Sequence, residues 1–363
     1  MTVPEQLSTA SSEKETEIQS DIIELAYETV ADKDGRQYNR RLVSVRDEHS
    51  PVQADLLRAI GDTWDDEIKR NPDWKGPYQK TDENGRPVAY EDGESKVEFD
   101  HNNEASEWLY FDDPGQKSMS EWIGLFPTAK ALYPLQRLED GGRVLPSGVL
   151  DERAKYLFTN MVDGIGLRAR ARIMKEWLVT VAENAEGDEL TGISIGSGAA
   201  VPDIDATVAV VDRLGKSVNW HLVDPDTEAL AFAQELAIEA GLPEETLNIH
   251  NKPYARAYGL FEEKVDFVDV LGLWEYLNDR QTASLLKDSL KLIKPGGSFI
   301  ASNMLADRPQ GAFNEKAVGW PSLVKRLEED MVGIAVKAGV DTSTITFTYS
   351  EDHVYLVMEV KKP

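Results

Sequence analysis

Gly192-Ile-Ser-Ile-Gly-Ser-Gly-Ala-Ala200 is the stretch on which the reading of this chain turns. An apolar run, Leu190–Ile195, leads straight into a glycine-rich turn, and a helical pattern from about Asp203 to Leu214 follows. Glycines between a strand and its helix reach backbone angles closed to other residues and leave room for a ligand against the main chain. Taken alone, Gly-Ser-Gly is equally an ordinary βα turn, so the surrounding chain has to separate the two readings.

From residue 190 short apolar runs alternate with helical patterns, the mark of βαβ units and a parallel sheet. Strands are expected at Leu190–Ile195, Val218–Val223, Thr246–His250, Val265–Leu271, Gly297–Ser302, Ser343–Thr348 and Val354–Val360. Helices are expected between them, at about Asp203–Leu214, Thr227–Ala240, Arg280–Leu292 and Pro321–Ala338. Only Tyr349–His353 joins the last two strands. That is too short for a crossover, so they must pair as an antiparallel hairpin. The fold class is α/β: a doubly wound, Rossmann-like, seven-stranded sheet with a terminal antiparallel hairpin, preceded by a mainly helical N-terminal region.

In that N-terminal region, residues 1–15 are rich in Ser, Thr and Glu and read as a disordered tail. Helical patterns follow around Ile18–Val30 and Val52–Lys69. An irregular stretch from Asn71 to Pro114 contains Asp82-Glu-Asn-Gly-Arg86, whose Asn-Gly marks a tight turn. Helical spacing returns from Ser118. Asp151 is placed to cap a helix reaching about Val162, which Gly164 and Gly166 would break. Ile173, Met174, Trp177, Leu178 and Val181 then form the buried stripe of a second helix. The division is thus a tail over 1–15, a helical region over 16–165 and a cofactor-binding domain over 166–363.

Strand Val218–Val223 ends in Asp224, 26 residues after Gly198. A carboxylate at the end of the second strand can accept two hydrogen bonds from the ribose of a nucleoside cofactor. Pro225 turns the chain, and Asp226 is placed to cap the following helix. With Ile193-Ser-Ile-Gly-Ser-Gly198, Leu222-Val-Asp-Pro-Asp226, Val265-Asp-Phe-Val-Asp-Val270 and Leu292-Ile-Lys-Pro-Gly-Gly-Ser298, the chain from about residue 165 to 363 resembles the class I S-adenosylmethionine (SAM)-dependent methyltransferases. The turn Lys294-Pro-Gly-Gly297 before the fifth strand carries much of that resemblance.

The resemblance implies SAM as cofactor and methyl transfer by in-line displacement. Gly196, Ser197 and Gly198 would lie beneath its methionine part and Asp224 would bind its ribose beside Pro225. Asn251 would lie near the adenine, with Leu271 and Trp274 by the cofactor and acceptor. Two positions depart from the family pattern: Ser194 stands where an acidic residue is usual, and Ala200 where a third glycine is frequent. Ser194 can hydrogen-bond but offers no carboxylate. Gly196-Ser-Gly-Ala-Ala-Val-Pro202 is also similar to the nicotianamine synthase group, which uses SAM to transfer an aminocarboxypropyl group. A non-catalytic SAM-fold protein is the remaining alternative. A nicotinamide dehydrogenase fits poorly, since Val201 replaces the third glycine of its fingerprint.

Methyl transfer needs a titratable residue only where the acceptor must lose a proton. His250, Tyr254, Tyr258 and Glu275 are the candidates near the C-terminal strand edge; each has a plain structural role as its alternative. Trp108, Tyr110 and Phe111, then Trp122, Phe126 and Tyr133, read first as core packing and second as an apolar acceptor pocket.

Composition narrows the partners. The 363 residues carry a net charge of −26, which repels phosphate backbones and makes nucleic acid an unexpected partner. Arg168, Arg170 and Arg172 read as a solvated helix face. The absence of cysteine excludes disulfides, thiolate catalysis and zinc–cysteine sites, and the five histidines lack ligand spacing, so no metal site is expected. No apolar run approaches the roughly 18–20 residues of a membrane span, and the acidic N-terminus carries no secretion signal. A soluble cytoplasmic enzyme acting on a small organic or lipid-like acceptor is the expectation, with a homo-oligomer left open.

Overall fold

A computed structural model of the protein describes residues 20–47, 54–71, 90–91, 94–95, 104–110, 115–261, 263–320 and 323–363. The expected disordered tail and the Asn84-Gly85 turn lie outside the described residues. In the N-terminal part, strands β1 (Ile22–Ala31) and β2 (Gln37–Val45) precede helix α1 (Ala54–Arg70) and a short ladder of β3 (Tyr90–Glu91) and β4 (Glu94–Ser95). Helices α2 (Glu104–Tyr110), α3 (Ser118–Ile123), α4 (Ala129–Gln136), α5 (Glu152–Asn160) and α6 (Val162–Asn184) follow.

Strands and helices then alternate, save that among the described residues only a 3-10 turn over Tyr254–Gly259 separates β7 from β8: β5 (Glu189–Ile195), α7 (Val201–Leu214), β6 (Ser217–Asp224), α8 (Thr227–Glu239), β7 (Leu247–Asn251), β8 (Val265–Val270), α9 (Asp279–Leu292) and β9 (Ile293–Met304). A single turn, α10 (Gly311–Phe313), and α11 (Glu328–Ala338) lead to the final strands β10 (Ile345–Ser350) and β11 (Tyr355–Lys361).

The sheet order is β1-β2-β10-β11-β9-β8-β5-β6-β7. β7, β6, β5, β8 and β9 run parallel, and β11 lies antiparallel to both β9 and β10. All seven expected strands and the closing hairpin are present, so the Rossmann-like architecture holds. Two strands extend it, because β2 adds in parallel to β10 and β1 pairs antiparallel with β2.

The β1 segment corrects the helix expected over Ile18–Val30. Ile22, Ile23, Tyr27, Thr29 and Val30 are β-branched or aromatic, and cross-strand pairing outweighs an apolar spacing that fits either period.

Helices cover both faces. Val268 and Val270 pack under Leu285 and Leu286 of α9 and Met331 and Ala335 of α11. On the other face Leu190, Leu222 and Phe267 meet Met174 and Leu178 of α6, Ile204 of α7 and Leu230 of α8. Phe267 stands edge-on to Trp177 and Trp220, at centroid distances of 5.6 and 4.9 Å. Gly192 makes that possible: a Cβ there would lie 2.0 Å from the Phe267 ring. The N-terminal helices gather Leu109, Trp122, Phe126, Leu135 and Phe158 into a third core, which packs on Met304, Val354 and Tyr355 where β9 ends and β11 begins. Core packing thus takes up Tyr110, Trp122, Phe126 and Tyr133; Trp108 is partly buried, and Phe111 lies outside the described residues.

Several local expectations change. Asp151 caps α5 as expected, accepting from the Ala154 N–H at 2.9 Å. Gly164 and Gly166, however, sit inside the first turns of α6; the break falls at Met161. Gly166 is needed for closeness, since a Cβ would meet Val354 at 2.4 Å. Lys294-Pro-Gly-Gly297 belongs to extended β9 as a bulge: β8 advances from Val265 to Phe267 while β9 advances from Ile293 to Ser298. The helix expected from Pro321 begins at Glu328, because Arg326 bridges to Leu305 instead. Arg168 and Arg170 are buried, not a solvated face.

Candidate active site

Parallel α/β sheets present ligand crevices at the carboxyl ends of their strands, where the strand order reverses. Here that point lies between β5 and β8, and a cleft of about 850 Å³ opens over it. The β5–α7 turn, the ends of β6 and β8, and Pro127, Ala129 and Leu132 beside and within α4 form its walls.

Gly196 and Gly198 both adopt positive φ, 73° and 54°, which lets the turn fold flat against the sheet. The Gly196 N–H donates to the Val223 carbonyl at 2.8 Å, and the Gly198 N–H donates to Asp224 Oδ2 at 2.9 Å. The other Asp224 oxygen accepts from the Asp226 N–H at 2.8 Å. Asp224 is therefore locked between the glycine turn and the start of α8, with one oxygen on each. Burial pushes its pKa up, and the two backbone donors pull it back. Asp226 accepts from the Glu228 and Ala229 N–H groups, the cap expected of it. Ala200 also holds a left-handed conformation, φ 50°, at the position where a third glycine would suit the backbone.

A second acidic centre lies deeper. Asp203, in the first turn of α7, and Asp269, near the end of β8, are 2% and 1% exposed and both line the cleft. Between them stands Ser194: its hydroxyl is 3.0 Å from Asp269 Oδ2 and 3.4 Å from Asp203 Oδ2. One hydroxyl hydrogen can serve only one of the two, and the remaining Oδ1 atoms of both aspartates lack partners. Burial raises both pKa values, that of Asp203 to about 7, and the Asp203 charge raises Asp269 further. The pair therefore keeps a proton near neutral pH unless a positive group approaches. Asp269 and Asp203 bring carboxylates to the place where Ser194 brings none. A sequence signal existed for Asp269, an acid inside the otherwise buried run Val265–Val270.

Of the residues singled out from sequence, the cleft wall brings together Ser194, Gly196, Ser197, Gly198, Asp224, Pro225, Tyr254 and Leu271. Asn251 stands beside it, its amide donating to the Pro225 carbonyl at 2.8 Å. His250 lies off the wall, 3.0 Å from His221 and edge-on to Phe261. Trp274 is fully buried and stacks on Phe299 at 5.8 Å, so packing claims it. Glu275 is also buried, and burial raises its pKa against the pull of Arg170 and backbone donors. Tyr258 leaves the cleft and donates to the Leu285 carbonyl at 3.3 Å. Sequence reasoning missed Arg170, Tyr276 and Trp320, all in the wall. Among the described residues no group of three or more His, Cys, Asp or Glu is placed to hold a metal ion, and no helix is long and apolar enough to cross a membrane.

The fold and cleft define a class of protein: a doubly wound α/β chain with a reversed final hairpin and a glycine turn after its first parallel strand. No protein-family model and no curated protein matches the sequence. Among solved structures, a possible exported protein from Bordetella parapertussis shares the fold with a TM-score of 0.53 at 16% identity, over 71% of this chain and 93% of that one. Magnesium protoporphyrin IX methyltransferase from Synechocystis PCC 6803, solved with bound SAM, aligns at a TM-score of 0.42 and 13% identity, over 56% of this chain and 85% of its own. The N-methyltransferase NodS from Bradyrhizobium japonicum WM9, solved with S-adenosylhomocysteine, aligns at 0.36 and 15%, over 53% and 87%.

Proposed function

We propose that the chain binds SAM in this cleft and transfers its methyl group to a small organic acceptor. The observation that carries the reading is the pairing, in one cleft, of a carboxylate fixed at the end of the second parallel strand with a buried acid pair whose Oδ1 atoms have no partner. Asp224 keeps lone pairs beyond those its two backbone donors use, and those can accept from ribose hydroxyls. The acid pair suits a cationic ligand, and SAM carries both an ammonium and a sulfonium.

SAM supplies an electrophile that is already activated, so the chain's own work is to orient and to exclude water. Gly196 and Gly198 let the ligand lie against bare backbone. Leu132, Leu273, Tyr276 and Trp320 offer an apolar and aromatic mouth for the acceptor. Tyr276 Oη accepts from the Trp320 Nε1–H at 2.9 Å, which fixes the two rings beside each other. For an acceptor that must shed a proton, Tyr254 is the catalytic candidate whose side chain borders the cleft.

Titration calorimetry with SAM and with S-adenosylhomocysteine tests the reading: binding of both is expected, and no binding of either at millimolar concentration sinks it. The product of turnover then names the chemistry. S-adenosylhomocysteine marks methyl transfer, whereas methylthioadenosine marks aminocarboxypropyl transfer.

A further inference from the structure

Four arginines among the described residues are buried, and three of them, Arg168, Arg326 and Arg308, are held by ion pairs, the last to Asp163. Arg168 donates to Asp47 and to the Leu135, Phe158 and Thr159 carbonyls at 2.7–3.0 Å. Arg326 donates to Asp279, Asn303 and the Trp274 and Leu277 carbonyls at 2.6–3.1 Å. Arg170 differs. It is 4% exposed, yet its one hydrogen bond is a long 3.4 Å contact to Ser302 Oγ, and its Nε–H has no acceptor.

Its guanidinium lies 4.7 Å over the Tyr355 ring, and Glu275 and Asp203 act on it through space without forming an ion pair among the described residues. The group lines the cleft. Gly272 faces it with no side chain, and even a Cβ there would stand 3.5 Å from Nη1.

We propose that Arg170 is the carboxylate receptor of this cleft. A planar fork of N–H donors with open positions matches a carboxylate in two parallel hydrogen bonds. The neighbouring Asp203 and Glu275 disfavour a dianion such as phosphate and favour a monoanion, above all one that carries an ammonium alongside. The carboxylate has two possible sources, the methionine end of SAM or the acceptor itself. The first rests on the cofactor reading above; the second does not.

The test compares S-adenosylhomocysteine with its decarboxylated analogue on wild type and Arg170→Gln, and adds benzoate as an acceptor-side probe. If the methionine carboxylate binds Arg170, the substitution weakens S-adenosylhomocysteine by roughly 10- to 100-fold and leaves the decarboxylated analogue unchanged. If the acceptor's carboxylate binds there, both adenosyl ligands keep their affinities and benzoate binding is lost. No change in any of the three overturns the proposal. Wild type that binds neither adenosyl ligand defeats the cofactor reading alone, and benzoate still judges Arg170. Should Arg170→Gln fail to fold, Arg170→Lys keeps the charge without the fork, and a reduced preference for the carboxylated ligand is then expected.

Discussion

At the end of β6 each oxygen of Asp224 accepts from a backbone N–H, whereas Asp203 and Asp269, in the same cleft, share the single hydroxyl of Ser194. The first carboxylate is organised by the fold before any ligand arrives; the second centre is left incomplete, with two Oδ1 atoms unpartnered. Preorganised acceptors give a ligand its position at little reorganisation cost, and an uncompensated buried acid selects for positive charge. On the proposed reading one centre orients the ligand and the other discriminates by charge.

Removing the organised centre should have the largest effect. Asp224→Ala deletes the proposed ribose acceptor and frees the glycine turn, so SAM affinity is expected to fall on the order of 100-fold or more by calorimetry. Equal affinities for wild type and variant would refute the ribose assignment and with it the contrast between the centres.

The incomplete centre is broken by pH. Its acids have folded pKa values above their usual 3.8, so the folded protein holds more protons than the unfolded chain between roughly pH 4 and 7. Stability from this pair is therefore present at low pH and lost as pH rises through the folded values. Urea unfolding should show the double variant Asp203→Asn/Asp269→Asn with a weaker decline between pH 5 and 8 than wild type, the difference being on the order of a few kcal/mol. A cationic ligand favours the ionised pair, so SAM affinity should climb about tenfold over the same interval in wild type and stay nearly flat in the double variant. A flat wild-type profile would detach the acid pair from binding.

The two centres were unequally legible in the sequence. Asp224 follows an apolar run and precedes Pro225, so chain order alone places it at a strand end facing a glycine turn. Asp203 and Asp269 are 66 residues apart and meet only because β5 lies beside β8, a pairing local patterns do not encode. Arg170 was hidden for a related reason. Its neighbours Arg168 and Arg172 suggest a wet helix face, yet the N-terminal helices and Asp47 close over them. β1 departs from the helix expected there because almost none of it is buried, which leaves cross-strand pairing as the main guide and no core-facing period to find. By contrast, β5 through β11 follow runs long enough to announce themselves, and the short Tyr349–His353 connection forces the final reversal.

The smallest predicted effect separates binding from support within the Asp224 centre itself. Asp226 makes two distinct contributions: its backbone N–H donates to Asp224, and its side chain caps α8 by accepting from Glu228 and Ala229. Asp226→Ala removes only the second, since alanine keeps the N–H. Stability should fall by about 1 kcal/mol, the usual cost of losing such a cap, measured by urea unfolding. SAM affinity should stay within about threefold of wild type, because a helix cap of this size shifts a neighbouring carboxylate little when both of its donors survive. A loss of affinity matching that of Asp224→Ala would mean that the side chain at 226 holds the ligand directly, and the organised centre would then be a pair of carboxylates, not one.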